Sequence, residues 1–341
     1  MGVVKVFIYS FASLFQHNHL KQIPPEIILY LYRIYITTKI FNMRLTPSII
    51  CLLLAGTLLS AGTVPNEIPQ YDHVIVVIEE NHAYNELIGS ADAAYINHLA
   101  KGGVLFTNSH GIGHPSQPNY LALFSGSTQG TTEDECLEGK TPFKTPNLGE
   151  ALIDKKFSFK GYAQTMPSAG FLGCTYHYHA ATLGALYARK HAPWVNWLGI
   201  GRNTIPPSAS VPMTEFPKDF RKLPTVSFVI PDMDHDMHNI GFPGDAAAIR
   251  RGDKWLKDNL AGYVDWAKKH NSLLILTFDE DDSEAKNNNR IPTIFYGAKI
   301  NAGEYTAAIN HYNVLHTLEA MYGLPFTDNT VAAPISGIWG K

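Results

Sequence analysis

The sequence predicts an α/β fold: a mainly parallel sheet flanked by helices, covered in part by an irregular cap segment. Two observations carry that expectation. Short apolar or β-branched runs of strand length alternate with helical stretches, as in parallel sheets covered on both faces. Three of those runs also end in clusters of acids, His or Asn. Val74–Ile78 leads into Glu79-Glu80-Asn81-His82, and Leu273–Phe278 into Asp279-Glu280-Asp281-Asp282. Val226–Ile230 leads into Pro231-Asp232-Met233-Asp234-His235-Asp236-Met237-His238. In open α/β sheets, chemistry gathers at the carboxyl ends of strands. Solvated loops are also acidic, but three acidic loops directly after buried strands point to one shared site.

The elements follow in order. After a polar linker (Thr63–Gln70) comes the strand Val74–Ile78, then a helix with Tyr95, Ile96 and Leu99 on its apolar face, then a short strand Val104–Thr107. The loop Gly111–Gln117 precedes a helical stretch Asn119–Phe124 that stops at Ser125-Gly126. Thr128–Thr145 is polar and reads as a loop over the site; Leu148–Ile153 reads as helix and Phe159–Tyr162 as strand. Pro167–Pro212, rich in Tyr, His, Pro and Trp and without periodicity, is the expected cap. Beyond the strand Val226–Ile230, Ala246–Lys269 repeats apolar residues at helical spacing through Leu256, Leu260, Tyr263 and Ala267. The strands Leu273–Phe278 and Pro292–Tyr296 flank a turn at Lys286–Arg290, and the helix Tyr312–Met321 ends at Gly323 with Pro325 beyond it.

The chain has 341 residues, is 45% hydrophobic and 17% charged, and carries a formal charge of −3. That length and balance suit one globular domain of about 250–300 residues, or two small ones, and the lack of a basic excess argues against a nucleic-acid partner. Met43-Arg44, the apolar stretch Ile49–Ala55 with Leu58-Leu59, and the small residues Ser60-Ala61-Gly62 have the layout of a secretory signal peptide. We therefore expect residues 1–42 to be an over-extended start or an N-terminal extension, 43–61 a signal peptide, and 62–341 a single catalytic domain. The mature protein would begin near Gly62–Val64 and be secreted or periplasmic, with no stable membrane partner. A membrane anchor is the alternative for this apolar region. Of the 3 Cys, Cys51 lies in the signal-like stretch, leaving Cys136 and Cys174. An even pair in an exported protein is expected to form a disulfide, with two free thiols as the alternative.

The loop His114-Pro115-Ser116-Gln117-Pro118-Asn119-Tyr120 puts a Ser at the start of a helix. Free N–H groups and the positive dipole end there favour an anion and stabilise an alkoxide. Ser116 read alone is a helix cap; read with three acid clusters, it is a nucleophile. No Gly-x-Ser-x-Gly surrounds it, so activation by a metal is favoured over a Ser-His-Asp triad. Arg189-Lys190-His191, among aromatics, reads either as a substrate-phosphate contact or as surface cations of a packed cap.

These motifs, in order from about Tyr71 to Pro325, resemble the phosphoesterase family of bacterial acid phosphatases and phosphocholine-type phospholipases C, within the alkaline phosphatase superfamily. Ile291-Pro292-Thr293-Ile294-Phe295-Tyr296-Gly297 and the helix from His311 belong to the likeness. The resemblance implies Glu80 and Asn81 as metal ligands or phosphate contacts and Asp279 and Glu280 as the acids that complete the metal site; the expected divalent metal cation is held by these four residues, with Ser116 as a further ligand. It implies a phosphoserine formed on Ser116, and His238, Asp236 and His311 as groups that bind phosphoryl oxygens or protonate the leaving group. Asn119, Lys190 and His191 are the expected substrate contacts. The wider superfamily often has Asp-His where this chain has Asp279-Glu280, which puts a two-zinc site in doubt. Asn119 and Leu121 depart from the sulfatase nucleophile motif. The expected function is a secreted, metal-assisted phosphomonoesterase acting on a small phosphate ester. A phospholipase C-type phosphodiesterase and an inactive exported binding protein are the alternatives.

Overall fold

Strand β1 (His73–Glu79) runs between two parallel neighbours, β7 (Val226–Ile230) and β8 (Ser272–Phe278). The three strands expected to end in one site are thus adjacent, and their carboxyl ends lie side by side. The computed structural model describes residues 68–179, 184–238, 244–283, 285–328 and 331–340. The expectations for residues 1–42, for the signal peptide and for the start of the mature chain lie outside the described residues.

The sheet continues through β2 (Val104–His110), β3 (Phe159–Ala163), β6 (Ser210–Pro212), β9 (Arg290–Gly297) and β10 (Gly303–Tyr305), in the order β10-β2-β9-β8-β1-β7-β3-β6. The two-residue β11 (Ile309–Asn310) pairs with the end of β2. Strand β9 is antiparallel to β8 and β2, and the other pairings are parallel. Strands β10 and β11 escaped the sequence reading because neither carries an apolar run.

Side chains alternate across β1. Val74, Val76 and Ile78 join one core with α3 (Ser116–Ser125), α4 (Leu148–Asp154) and α6 (His311–Met321). Ile75 and Val77 join another with α2 (Ala94–Gly102) and α5 (Asp245–Ala267), and α1 (Tyr84–Leu87) lies on that side too. The same alternation separates the two glutamates that end the strand: Glu80 turns toward α3, whereas neither carboxylate oxygen of the buried Glu79 has a hydrogen-bond partner. Burial, then the nearby Asp236 and Glu80, hold the Glu79 carboxyl well above its ordinary pKa.

Helix α3 begins at Ser116, three residues before the expected start. Pro118 falls in its first turn, where backbone N–H groups have no acceptor within the helix, so the missing donor costs little. The cap is more than a cover. It contains a hairpin, β4 (Thr175–His179) with β5 (Gly184–Ala188), but it also supplies β6 to the central sheet. Its Trp194 and Trp197 are buried in the α3-side core. Their indole N–H groups donate to Ser210 Oγ at 2.9 Å and to the Thr145 carbonyl at 2.9 Å. These aromatics sit on short 3-10 turns, which have neither helix nor strand period. No helix among the described residues is long and apolar enough to cross a membrane.

Candidate active site

Ser116 occupies the first turn of α3, against the ends of β1 and β8. Its Oγ lies 3.1 Å from Glu80 Oε2, 3.3 Å from Asn81 Oδ1 and 3.1 Å from Glu280 Oε1. The preceding Pro115 is the N-cap and no side chain caps this helix, so the Ser116 hydroxyl is not spent on capping. Asn81 has φ of 45°, in the left-handed region that Asn tolerates better than most residues. There its backbone N–H donates to Asp279 Oδ1 at 3.2 Å and its amide nitrogen to Glu280 Oε1 at 3.2 Å. Two backbone bonds tie the strand ends together, from Asp279 N–H to the Glu79 carbonyl at 3.1 Å and from Glu80 N–H to the Asp236 carbonyl at 2.8 Å.

The other oxygen of Glu80 faces a second group of residues. Tyr120, one turn beyond Ser116 on α3, donates its phenolic hydroxyl to Glu80 Oε1. His191 stacks on the Tyr120 ring at 5.1 Å, with Nε2 3.2 Å from Glu80 Oε1 and Nδ1 3.7 Å from Asp236 Oδ2. Lys190 pairs with Asp134 at 2.5 Å, and Asp134 also accepts the Gln117 backbone N–H at 2.9 Å. The long loop thereby connects the cap lysine to the start of α3. On the outer side of Glu280, His114 Nδ1 lies 2.5 Å from Glu280 Oε2 and Nε2 lies 3.4 Å from Asp281 Oδ1.

The electrostatics are those of too many acids in too little water. Burial, then Glu80 and Glu280, raise Asp279 well above its ordinary range. Burial, then Glu80, do the same for Asp236 and push Glu280 up to about 8. Glu80 is also raised by burial, although Lys190, His238, Tyr120 and Ser116 oppose the shift. Burial lowers His191, helped by Lys190 and His238, and it holds His311 down to about 4. For Lys190, burial pulls down but Glu80 and Asp134 outweigh it, so its ammonium form is favoured. A hydroxyl has one proton, yet Ser116 faces three acceptor oxygens, and Asp279 Oδ2 is buried without a hydrogen-bond partner. This oxygen-only set fits a hard divalent cation. Glu80, His191 and Asp236 bring one ligand atom each within 4.8 Å of one another, a mixed oxygen and nitrogen set that shares Glu80 with the first.

The structure thus gathers Ser116, Glu80, Asn81, Asp279 and Glu280 into one cluster, with His191 and Asp236 against its far side. The other sequence-predicted residues fall as follows. His238 donates its backbone N–H to Asp236 Oδ1 at 3.0 Å, and its ring Nδ1 is buried without a hydrogen-bond partner. His311 faces the Asp279 backbone carbonyl through Nε2 at 2.6 Å, behind the acid pair. Asn119 spends its amide on the loop: Oδ1 accepts from Ile112 and Gly113 N–H, and Nδ2 donates to the Gly113 and Pro115 carbonyls. Cys136 and Cys174 are joined in a disulfide, as expected. Asp234 pairs with Arg251 at 3.4 Å. Asp232 holds His235 at 2.6 Å, away from the cluster. The sequence reading assigned no role to Tyr120, Asp134 or His114. Tyr120 carried a usable signal, its i+4 spacing from Ser116 on one helix face; Asp134, inside a long polar loop, carried none.

A mostly parallel sheet with acids gathered at its strand ends around a helix-borne Ser is the arrangement of an alkaline phosphatase-like phosphoric ester hydrolase. A solved structure of a protein in the alkaline phosphatase superfamily from Vibrio parahaemolyticus shares the fold, with a TM-score of 0.52 at 13% identity over 80% of this chain and 72% of the other. The model of the phosphoesterase family matches residues 90–325, and the chain belongs to that family. It is 43% identical to a phosphatidylinositol-3-phosphatase of Mycobacterium tuberculosis, over 84% of this chain and 88% of that one. It is 30% identical to an acid phosphatase of Aspergillus fumigatus, over 67% of this chain and 50% of the relative. A phosphate-repressible acid phosphatase of Penicillium chrysogenum is 31% identical, over 67% and 54%. The chain spans about half the length of these fungal relatives. It is a phosphoric ester hydrolase, and the inactive binding-protein alternative is set aside.

Proposed function

We propose that the chain is an exported phosphomonoesterase, assisted by a divalent cation, that passes the phosphoryl group through Ser116 to water. The observation that carries this reading is the convergence of Glu80, Asn81 and Glu280 oxygens within 3.1–3.3 Å of one hydroxyl at a helix start. Glu80, Asn81, Asp279, Glu280 and Ser116 would hold the cation. When bound, it would neutralise phosphoryl oxygens and lower the pKa of the Ser116 hydroxyl.

On this reading, Ser116 Oγ passes its proton to the Glu80 or Glu280 carboxylate, each 3.1 Å away, as it attacks phosphorus in line with the ester oxygen; the P–O ester bond breaks and a phosphoserine forms. The departing alkoxide takes a proton, for which His238 is the nearby donor with a ring nitrogen not otherwise engaged. Water then attacks the phosphoserine, the P–Oγ bond breaks, and Ser116 regains its proton. Lys190 attracts the phosphate, and Asp134 holds its ammonium beside the cluster. His191 and Asp236 orient Glu80 or contact phosphoryl oxygens. The bond of His311 to the Asp279 carbonyl supports a positioning role. The loop bonds of Asn119 support a role in shaping residues 111–115 beside the phosphate.

The name of the Mycobacterium tuberculosis relative supports a phosphate monoester on a lipid headgroup as the substrate class. The disulfide supports export, since such bonds persist in oxidising compartments. Ser116→Ala should lower turnover of a chromogenic phosphomonoester by at least about 10³-fold while the protein still folds. Chelation should remove activity and metal add-back restore it. Near-normal activity of the Ser116→Ala variant would sink the nucleophile, and full activity in metal-free protein would sink the cation. A phosphodiester turned over faster than any monoester would favour the phospholipase C alternative.

A further inference from the structure

We infer that His114 is a positioning residue for the cation site: its imidazole blocks the outer oxygen of Glu280, so that the inner oxygen stays turned toward Ser116. The inference deepens the cation reading above and rests on it. No step of the proposed reaction uses His114, although it stands two residues before the nucleophile and touches two buried acids.

Glu280 and Asp281 are buried, whereas the His114 side chain is 37% exposed. Glu280 Oε1 accepts the Asn81 amide N–H at 3.2 Å and lies 3.1 Å from Ser116 Oγ. Its Oε2 is buried without an aligned hydrogen bond, and His114 Nδ1 stands 2.5 Å from it. At that distance the ring leaves the carboxylate no room to swing outward. The block matters because the last torsion of a glutamate side chain is broad and does not fix itself. The ring is held in turn by Ser283 Oγ, 3.1 Å from Nδ1, and by Asp281 Oδ1, 3.4 Å from Nε2. Asp281 Oδ1 is anchored by the Ser283 backbone N–H at 2.8 Å.

The two loops do not need the His114 ring to hold them together, because Asn289 already does so. Its Oδ1 accepts the Asp281 N–H at 2.9 Å, its Nδ2 donates to the Gly113 carbonyl at 3.2 Å, and its own carbonyl accepts the Gly111 N–H at 2.9 Å. With the backbone tied in this way, what the side chain adds is its contact with the acids. Glu80 shows the same arrangement on the other side of Ser116. Its Oε2 faces the hydroxyl, and its Oε1 is gripped by Tyr120. Each glutamate that faces Ser116 is thus restrained at the oxygen that points away from it. Outer partners of metal-binding side chains orient those ligands, and losing one costs about 10–100-fold in metal affinity.

Three variants of the full chain separate the contacts. His114→Ala removes both. An Asn amide nitrogen stands where Nδ1 does and a Gln amide nitrogen near Nε2, so His114→Asn keeps the contact with Glu280 and His114→Gln keeps only that with Asp281. Titration calorimetry with magnesium, calcium and manganese ions, each alone, reads cation binding directly. Turnover of a chromogenic monoester is followed against cation concentration, and unfolding of the cation-free proteins reports the fold. His114→Ala and His114→Gln should bind the cation about 10–100-fold more weakly than wild type. Their half-saturating cation concentration should rise by the same factor, with most of the lost turnover recovered at saturating cation. His114→Asn should restore most of the affinity. Should the Ala variant fail to fold, the contrast between Asn and Gln decides the question. Equal cation affinity in wild type and His114→Gln, a loss that His114→Asn leaves unrepaired, or lost turnover that saturating cation does not recover would each overturn the role of His114 while leaving the cation reading in place. A wild type that binds none of the three ions would overturn the cation reading and this role with it.

Discussion

Glu80 has two carboxylate oxygens, and the structure divides their work. Oε2 faces the Ser116 hydroxyl, while Oε1 receives the Tyr120 phenol and lies against His191. Tyr120 therefore fixes the carboxylate that the nucleophile depends on, without itself lying at the reacting atoms. Tyr120→Phe keeps the ring and its stacking on His191 but removes that donor. We expect kcat for a chromogenic monoester to fall about 10–100-fold, the usual cost of losing an outer partner of a catalytic or metal-binding group. Unfolding should show whether the fold is intact, with a stability loss of about 1–3 kcal/mol for the unpaired buried oxygen. Wild-type kcat in this variant would mean that His191 and Ser116 suffice to orient Glu80.

At the scale of elements, two connections hold the site's surroundings. The disulfide spans a sequence separation of 38 and joins the polar loop to the cap. Closing a loop of that length removes about 4 kcal/mol of denatured-state entropy in the chain-entropy model. Replacing both Cys136 and Cys174 by Ser should lower the unfolding free energy by up to that amount. It should also weaken substrate binding, because Asp134 and Lys190 meet across the tie; an unchanged denaturation midpoint and KM would show that the bridge carries neither role. The second connection is the buried end of α6. Glu319 accepts the Thr327 backbone N–H at 2.9 Å, with Asp328 held by His316 Nε2 at 3.0 Å nearby. Burial is the largest cause that raises the Glu319 carboxyl to about 7. Between its unfolded value near 4.5 and about 7, the folded state keeps a proton that the unfolded state has released. Stability is therefore fully present below that window and lost as pH rises through it. Glu319→Gln should flatten the decline in denaturation midpoint between about pH 5 and 7; a slope identical to wild type would assign the proton elsewhere.

Over the whole molecule, the sheet is the common reference for both helical layers and for the cap. The cap's attachment is visible at Gly161 of β3, where a Cβ would overlap the Trp194 indole. Gly161→Ala should thus destabilise the protein by about 1–3 kcal/mol through overpacking, read as a lowered denaturation midpoint. A neutral result would mean that the indole moves aside and that the cap sits loosely on the sheet. The covering of β3 by Trp194 also explains why the irregular region could not be read as a separate lid. Its core contribution comes from indoles on 3-10 turns, and burial of such residues leaves no period in sequence.

The sequence by itself determined the strands and the acids that follow them. A parallel strand buried on both faces is predominantly apolar, so the change to acids at Glu79-Glu80, Pro231-Asp232 and Asp279-Glu280 marks where each run gives out, and neighbouring strand ends share one edge. That places Glu80, Asn81, Asp279 and Glu280 on one edge; that Ser116 joins them is what the resemblance to the phosphoesterase family implies. Only the tertiary structure decided which groups meet them from elsewhere in the chain. Tyr120 reaches Glu80 because α3 packs along the end of β1, His191 arrives from the 3-10 turn that follows β5 in the cap, and Asp134 reaches Lys190 across a disulfide-bridged loop. It also turned Asp232 and Asp234 away from the cluster, while Asp236, which the resemblance implies, lies against it. Three acids in one short loop look alike in sequence; the turn after β7 gives each a different direction, and only burial beside Glu80 makes one of them part of the site.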